Sequence, residues 1–122
     1  MTTPYGKAVR KLRIDAGLRL KDMADALGVK SAYLSAVETG KKRITDKLVD
    51  NTISFFANET SISAERASSV LKPLVAQSQP ECVITMEGHV DSDRELVAAF
   101  ARRFSDLSTQ QKSNLKSILD ME

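Results

Sequence analysis

The chain has 122 residues, 42% of them hydrophobic and 28% charged, with one cysteine, no tryptophan and a formal net charge of +2. That length suits one compact domain, or a small domain with an appendage, and the composition excludes a disordered tail. One cysteine excludes an intramolecular disulfide, no apolar run approaches the roughly 20 residues that span a bilayer, and there is no signal peptide, so a cytoplasmic protein is expected.

Charge is unevenly placed. From Met1 to Ile44 ten basic residues face four acidic ones, a local +6 that leaves −4 for the remainder. A basic first third suggests a polyanion-binding module joined to a segment with another task; the alternative is an ordinary solvated surface.

Periodicity sets out the elements in order. In TTPYGKAVRKLRIDAG, Thr3 is a plausible N-cap, Pro4 suits the first helical position, Ala8, Val9, Leu12 and Ile14 are the apolar residues, and Gly17 ends the helix. In LKDMADALG, Leu20, Met23, Ala24 and Leu27 form an amphipathic stripe and Gly28 supplies the stop. In KSAYLSAVETGKKR, Ser31 is placed as the cap, Leu34 and Val37 share one face, and Gly40 closes a helix spanning 31–39. A fourth helix, capped by Thr45, turns Leu48, Val49, Ile53 and Phe56 inward. A fifth carries Ala67, Val70 and Leu71, and Pro73 ends or kinks it. AQSQPE reads as a linker, CVITM (82–86) as a short strand, and two helices follow, with Ser92–Glu95 and Ser108–Gln111 as capping boxes. The expected fold is mainly α: a five-helix domain at 1–76, a linker at 77–81, and a C-terminal region at 82–122 with one short strand and two helices.

The second and third helices, joined through Gly28 and Val29, make a helix-turn-helix candidate. GKAVRKLRIDAGLRLKDMADALGVKSAYLSAVETGKKR resembles the Xre family, the class of lambda-type repressors and Cro proteins, over roughly residues 5 to 57. The resemblance implies a lambda-repressor-like DNA-binding domain with an ion pair between Arg13 and Glu38. It also implies a small crossing residue at Ala24, a turn glycine at Gly28 and inward aliphatics at Leu34 and Val37. The family's glutamine at the start of the second helix is Leu20 here, which leaves Arg19 or Lys21 to supply that phosphate contact, aided by the helix dipole.

Groove chemistry then assigns roles. A helix fits the major groove, and small side chains let its backbone come close. Lys30 suits a guanine edge or a phosphate; Ser31, Ser35 and Thr39 suit hydrogen bonds to bases; Ala32 and Ala36 suit thymine methyls. Tyr33 is either a backbone contact or a structural tyrosine, and Lys41, Lys42 and Arg43 are placed on phosphates.

Such modules read two half-sites as dimers, and an isolated strand would need a partner, so a homodimer through the C-terminal region is expected. Phe100, Phe104, Leu115, Ile118 and Leu119 are the assembly residues, unless these helices fold back on the fifth. In ECVITMEGHVDSD, a lone Cys82 and a lone His89 seven positions apart do not match tight metal-ligand spacing; a small buried cysteine and a polar-turn histidine are the ordinary readings. No nucleophile–base pair, glycine-rich phosphate loop or carboxylate dyad stands out, so neither an enzyme nor a cofactor or metal is expected. Two functions fit: a dimeric repressor on a palindromic operator, or an antitoxin that autoregulates through the same domain and grips a toxin with its C-terminal helices. Both have double-stranded DNA as a partner and neither involves a membrane.

Overall fold

The computed structural model describes residues 1–121 and divides into two units, Met1–Cys82 and Val83–Glu122. The first unit holds α1 (Pro4–Asp15), α2 (Leu20–Leu27), α3 (Ser31–Glu38), α4 (Asp46–Glu59) and α5 (Ala64–Leu71), then a 3-10 turn (Lys72–Leu74) and the single turn α6 (Val75–Ser78). The second holds α7 (Asp91–Arg103), a 3-10 turn (Phe104–Asp106) and α8 (Thr109–Leu119).

Local chemistry accounts for most helix ends. Thr3 caps α1, its hydroxyl accepting from the Gly6 amide at 3.1 Å, and Pro4 occupies the first turn, where its missing N–H costs nothing. Thr45 and Ser63 cap α4 and α5 in the same way. Between α2 and α3 the chain reverses through Gly28 at φ 69°, and the Val29 amide reaches back to the Ala24 carbonyl at 3.0 Å. A side chain at that φ would be strained, by about 1–2 kcal/mol.

The core of the first unit gathers one stripe from each of α1 to α5. Val9 and Leu12, Met23 and Ala24, Leu34 and Val37, Leu48, Val49 and Ile53, and Ala67 and Leu71 are all buried, and they close around Phe56, which is fully enclosed. Burying a side chain such as Phe56 contributes about 1.5–3 kcal/mol. Phe55 is buried beside it in an edge-to-face contact, ring centroids 5.2 Å apart. Ile14, the last of the apolar residues of α1, is exposed, because the helix turns the face of Val9 and Leu12 to the core.

Tyr5 is buried with its hydroxyl unpartnered, and so is the hydroxyl of Thr52. Burial pushes the Tyr5 phenol up to about 12; Thr52 opposes this without making a hydrogen bond of good geometry, and the charges of Glu38 and Tyr33 add to it. The folded chain therefore keeps a proton that an unfolded tyrosine releases near pH 10. The associated stability, about 2–3 kcal/mol, is intact below pH 10 and is lost as pH rises toward 12. Tyr5→Phe removes an unpartnered hydroxyl, so stability at pH 7 should stay within about 1 kcal/mol of the parent. Urea unfolding followed from pH 9 to 12 should then fall less steeply in Tyr5→Phe; equal slopes would refute the assignment.

Several sequence expectations are corrected. The segment 77–81 is not a free linker at its start: Gln77 and Ser78 end α6, and Ser78 is buried, its hydroxyl accepting from the Tyr5 amide at 2.9 Å and donating to the Leu74 carbonyl at 2.7 Å. Residues 82–86 form no strand. Val83 and Ile84 are exposed, and no other segment among the described residues offers an edge for them to pair with. Ser31 does not cap α3, because Lys30 occupies the N-cap position without a side-chain bond and Ser31 is already helical. Nor does Ser92 cap α7; the helix starts two residues earlier than a cap there would place it, after Val90, with Asp91 and Asp93 placing negative charge at its positive dipole end. Cys82 is exposed rather than buried.

In the second unit the Ser108–Gln111 capping box forms, with Gln111 N–H donating to Ser108 Oγ at 3.1 Å and Ser108 N–H to Gln111 Oε1 at 2.8 Å. Phe100 and Phe104 lie 5.4 Å apart, and Lys112 Nζ sits 5.0 Å above the Phe104 ring, joining α7 to α8. Among its described residues none is buried. Two short amphipathic helices do not enclose a core of their own.

Candidate nucleic-acid interface

The third helix has two faces with different work. Leu34 and Val37 are buried against the core, and Glu38 is 7% exposed. The Glu38 carboxylate accepts from both Arg13 Nη1 at 2.7 Å and Nη2 at 3.1 Å, a two-point ion pair with side chains only 6% and 9% exposed. The Glu38 carbonyl accepts in addition from the Thr3 amide at 3.0 Å and the Thr3 hydroxyl at 3.1 Å. Side chain and backbone of one residue thus tie the end of α3 to the start and end of α1.

That lacing is close enough to require a glycine. A Cβ on Gly6 would fall 2.1 Å from the Glu38 carbonyl oxygen and under 3 Å from its C and Cα, all backbone atoms. From the sequence, Gly6 is only a poor helix former; the approach of α3 explains it.

The outward face of α3 carries short side chains. Ala32 and Ser35 are exposed, and Ser31, Ala36 and Thr39 are half-buried. The Thr39 hydroxyl donates back to the Ser35 and Ala36 carbonyls at 2.9 and 3.3 Å, which leaves it an acceptor toward anything outside the helix. Tyr33 is half-buried and packs on the core, so its ring serves the structure whatever its hydroxyl meets.

Basic side chains surround this face. Lys30 precedes α3 and is exposed. After α3, Gly40 at φ 78° turns the chain, and the Lys41 and Lys42 amides both bond to the Ala36 carbonyl, at 2.9 and 3.2 Å. Lys41, Lys42 and Arg43 are all exposed.

At the start of α2, Leu20 packs partly on the core. Arg19 and Lys21 beside it are exposed. Arg19 has an acidic neighbour: Asp22 accepts from the Arg19 amide at 2.8 Å, and its carboxylate faces the guanidinium at 3.3–3.4 Å. The amide bond, then the guanidinium, hold the Asp22 carboxyl below the usual carboxylate range, and the same contact raises Arg19. An incoming phosphate would meet an anion already seated at this helix start, so Arg19 must be shared or released.

One residue overlooked in the sequence belongs here. Arg10 is exposed and lines an open cleft together with Arg19, Leu20, Ser35 and Thr39. Its position three residues before Arg13 on α1 was the available signal, since that spacing places both on one helix side.

The remaining predicted residues lie in the second unit. Phe100, Phe104, Ile118 and Leu119 are 40%, 47%, 62% and 79% exposed, and Leu115 is half-buried. His89 is exposed, its Nδ1 3.4 Å from Asp93. Among the described residues no helix is long and apolar enough to cross a membrane.

Searches among curated proteins and among solved structures give no match to the chain. A family model does match: residues 5–53, from the start of α1 to the middle of α4, correspond to a helix-turn-helix domain, which supports a DNA-binding regulator built on the first unit.

Proposed function

We propose that the chain is a sequence-specific transcriptional regulator of Xre type, a dimeric repressor that inserts α3 into the major groove of a palindromic operator. The observation that carries this is the division of α3: an inward face pinned by Leu34, Val37 and Glu38, and an outward face of small residues bracketed by cations. Lys30, Ser31, Ala32, Ser35, Ala36 and Thr39 are assigned to base edges. Lys41, Lys42, Arg43, Lys21, Arg10 and a released Arg19 are assigned to phosphates, with Tyr33 at the backbone.

The exposed apolar side chains of α7 and α8 are assigned to assembly, a second subunit placing two reading heads about 34 Å apart or a multiple of it. An antitoxin would use the same side chains to hold a toxin, and the mass in solution separates the two. Full-length protein should be a dimer and Met1–Cys82 a monomer; a full-length monomer would favour the antitoxin. The cut is placed after Cys82 because Ser78 and Gln79 bond into the first unit.

Protection mapping on DNA upstream of the gene should give a roughly palindromic footprint. Replacing Ser31, Ala32 and Ser35 together should abolish it. Neutralising Lys41, Lys42 and Arg43 should weaken binding to all sequences and lower the slope of log K against log salt by about 1 per lost contact. A footprint that is independent of sequence would sink the repressor reading.

A further inference from the structure

Between Lys42 and the cap residue Thr45 the backbone has few partners of its own. The Lys42 amide still reaches the Ala36 carbonyl, but Arg43 and Ile44 follow outside any helix. Three adjacent cations occupy this stretch, and their mutual repulsion favours opening it. What holds it comes from 35 positions further along the chain. Gln79 Oε1 accepts from the Ile44 amide at 2.8 Å, and Gln79 Nε2 donates to the Ile44 carbonyl at 2.8 Å. A carboxamide is one of the few side chains that present a donor and an acceptor together, so it can pair with both backbone groups of one residue as a neighbouring strand would.

Gln79 is itself anchored. Ser78 beside it is buried and bonded to α1 through the Tyr5 amide, and the Ile44 side chain is 2% exposed. The clamp therefore joins two fixed points and spans the exit of α3.

We infer that Gln79 is a positioning residue for DNA binding: by clamping Ile44 it holds Lys41, Lys42 and Arg43 where the end of α3 meets the phosphates. This rests on the reading of α3 as the groove-reading helix. Gln79 touches no DNA itself. Its contribution is to fix the path of this loop so that all three cations reach phosphates together; an unclamped loop brings fewer of them to the DNA at once and meets a larger ordering cost on binding.

The test uses full-length Gln79→Ala, with Gln77→Ala as the control, which removes an exposed glutamine side chain from the end of α6 and leaves both Ser78 and the Ile44 clamp in place. Two measurements are made. Trypsin cleavage after Lys41, Lys42 and Arg43 needs no DNA and should be about fivefold faster or more in Gln79→Ala than in Gln77→Ala, once both are compared at equal global stability. On operator DNA, Gln79→Ala should bind about tenfold more weakly with a shallower salt slope and an unchanged footprint sequence. Added to the Lys41, Lys42 and Arg43 replacements, it should have little further effect on the slope. Equal cleavage in the two variants, or a salt slope that Gln79→Ala leaves unchanged, would overturn the inference and leave the DNA-binding reading standing. Failure of the unaltered protein to bind DNA would overturn both.

Discussion

Replacing Glu38 by alanine is expected to cost the first unit about 3–5 kcal/mol, since the Arg13 guanidinium then stays buried without its carboxylate. The nearest remaining partner is the Met23 sulfur at 3.6 Å, a weak acceptor for a full charge. A unit of this size has a total stability on the order of 4–12 kcal/mol, so the variant should be close to unfolding at 25 °C. The size of the loss does not measure the worth of the intact pair. Two charges withdrawn from water repay much of their attraction as desolvation, and the double replacement Arg13→Met with Glu38→Leu should recover most of the loss. Urea unfolding followed by circular dichroism at 222 nm would show both effects. A single variant that costs less than about 1 kcal/mol would show that water reaches the pair, contrary to its burial.

Gly6→Ala should be nearly as damaging, although alanine is the better helix former by about 1 kcal/mol. The added methyl meets the Glu38 carbonyl at 2.1 Å, and a backbone oxygen held by two bonds from Thr3 cannot move alone. Relieving the clash means separating α1 from α3, with loss of the Thr3 bonds and a shift of the Arg13–Glu38 pair. Overpacking of about 1–3 kcal/mol together with about 1 kcal/mol for each weakened hydrogen bond exceeds the helix gain, for a net loss of about 2–4 kcal/mol. Lys7→Ala, at the exposed neighbouring position, should stay within about 0.5 kcal/mol. Equal stability of the two variants would mean that α1 and α3 can part without cost. Because α3 would move, Gly6→Ala should also lose operator affinity beyond what its folded fraction explains.

These two residues differ in how far the sequence discloses them. Glu38 follows from a resemblance that places it with Arg13, and the pair does form, 25 positions apart. Gly6 shows no such sign. Its reason is a backbone oxygen 32 residues away, and periodicity along one helix carries no information about a neighbour's approach.

The amino-acid sequence by itself determined the local devices: the Thr3, Thr45 and Ser108 caps, the left-handed turn at Gly28, the inward stripes of α2 and α4, and the exposed basic run after α3. Each depends on residues within a turn or two of one another, where propensity and spacing act directly. Only the tertiary structure decided the rest. AQSQPE looks like a linker because its residues are polar, yet Ser78 and Gln79 spend that polarity on Tyr5 and Ile44, 73 and 35 positions away. The run at 82–86 has a strand's composition, but a strand is completed by an edge, and none is present among the described residues. Ser31 and Ser92 have the chemistry of a cap but fall inside their helices. Caps and stripes are decided by near neighbours, whereas linkers, strands and close approaches depend on what the rest of the chain brings beside them.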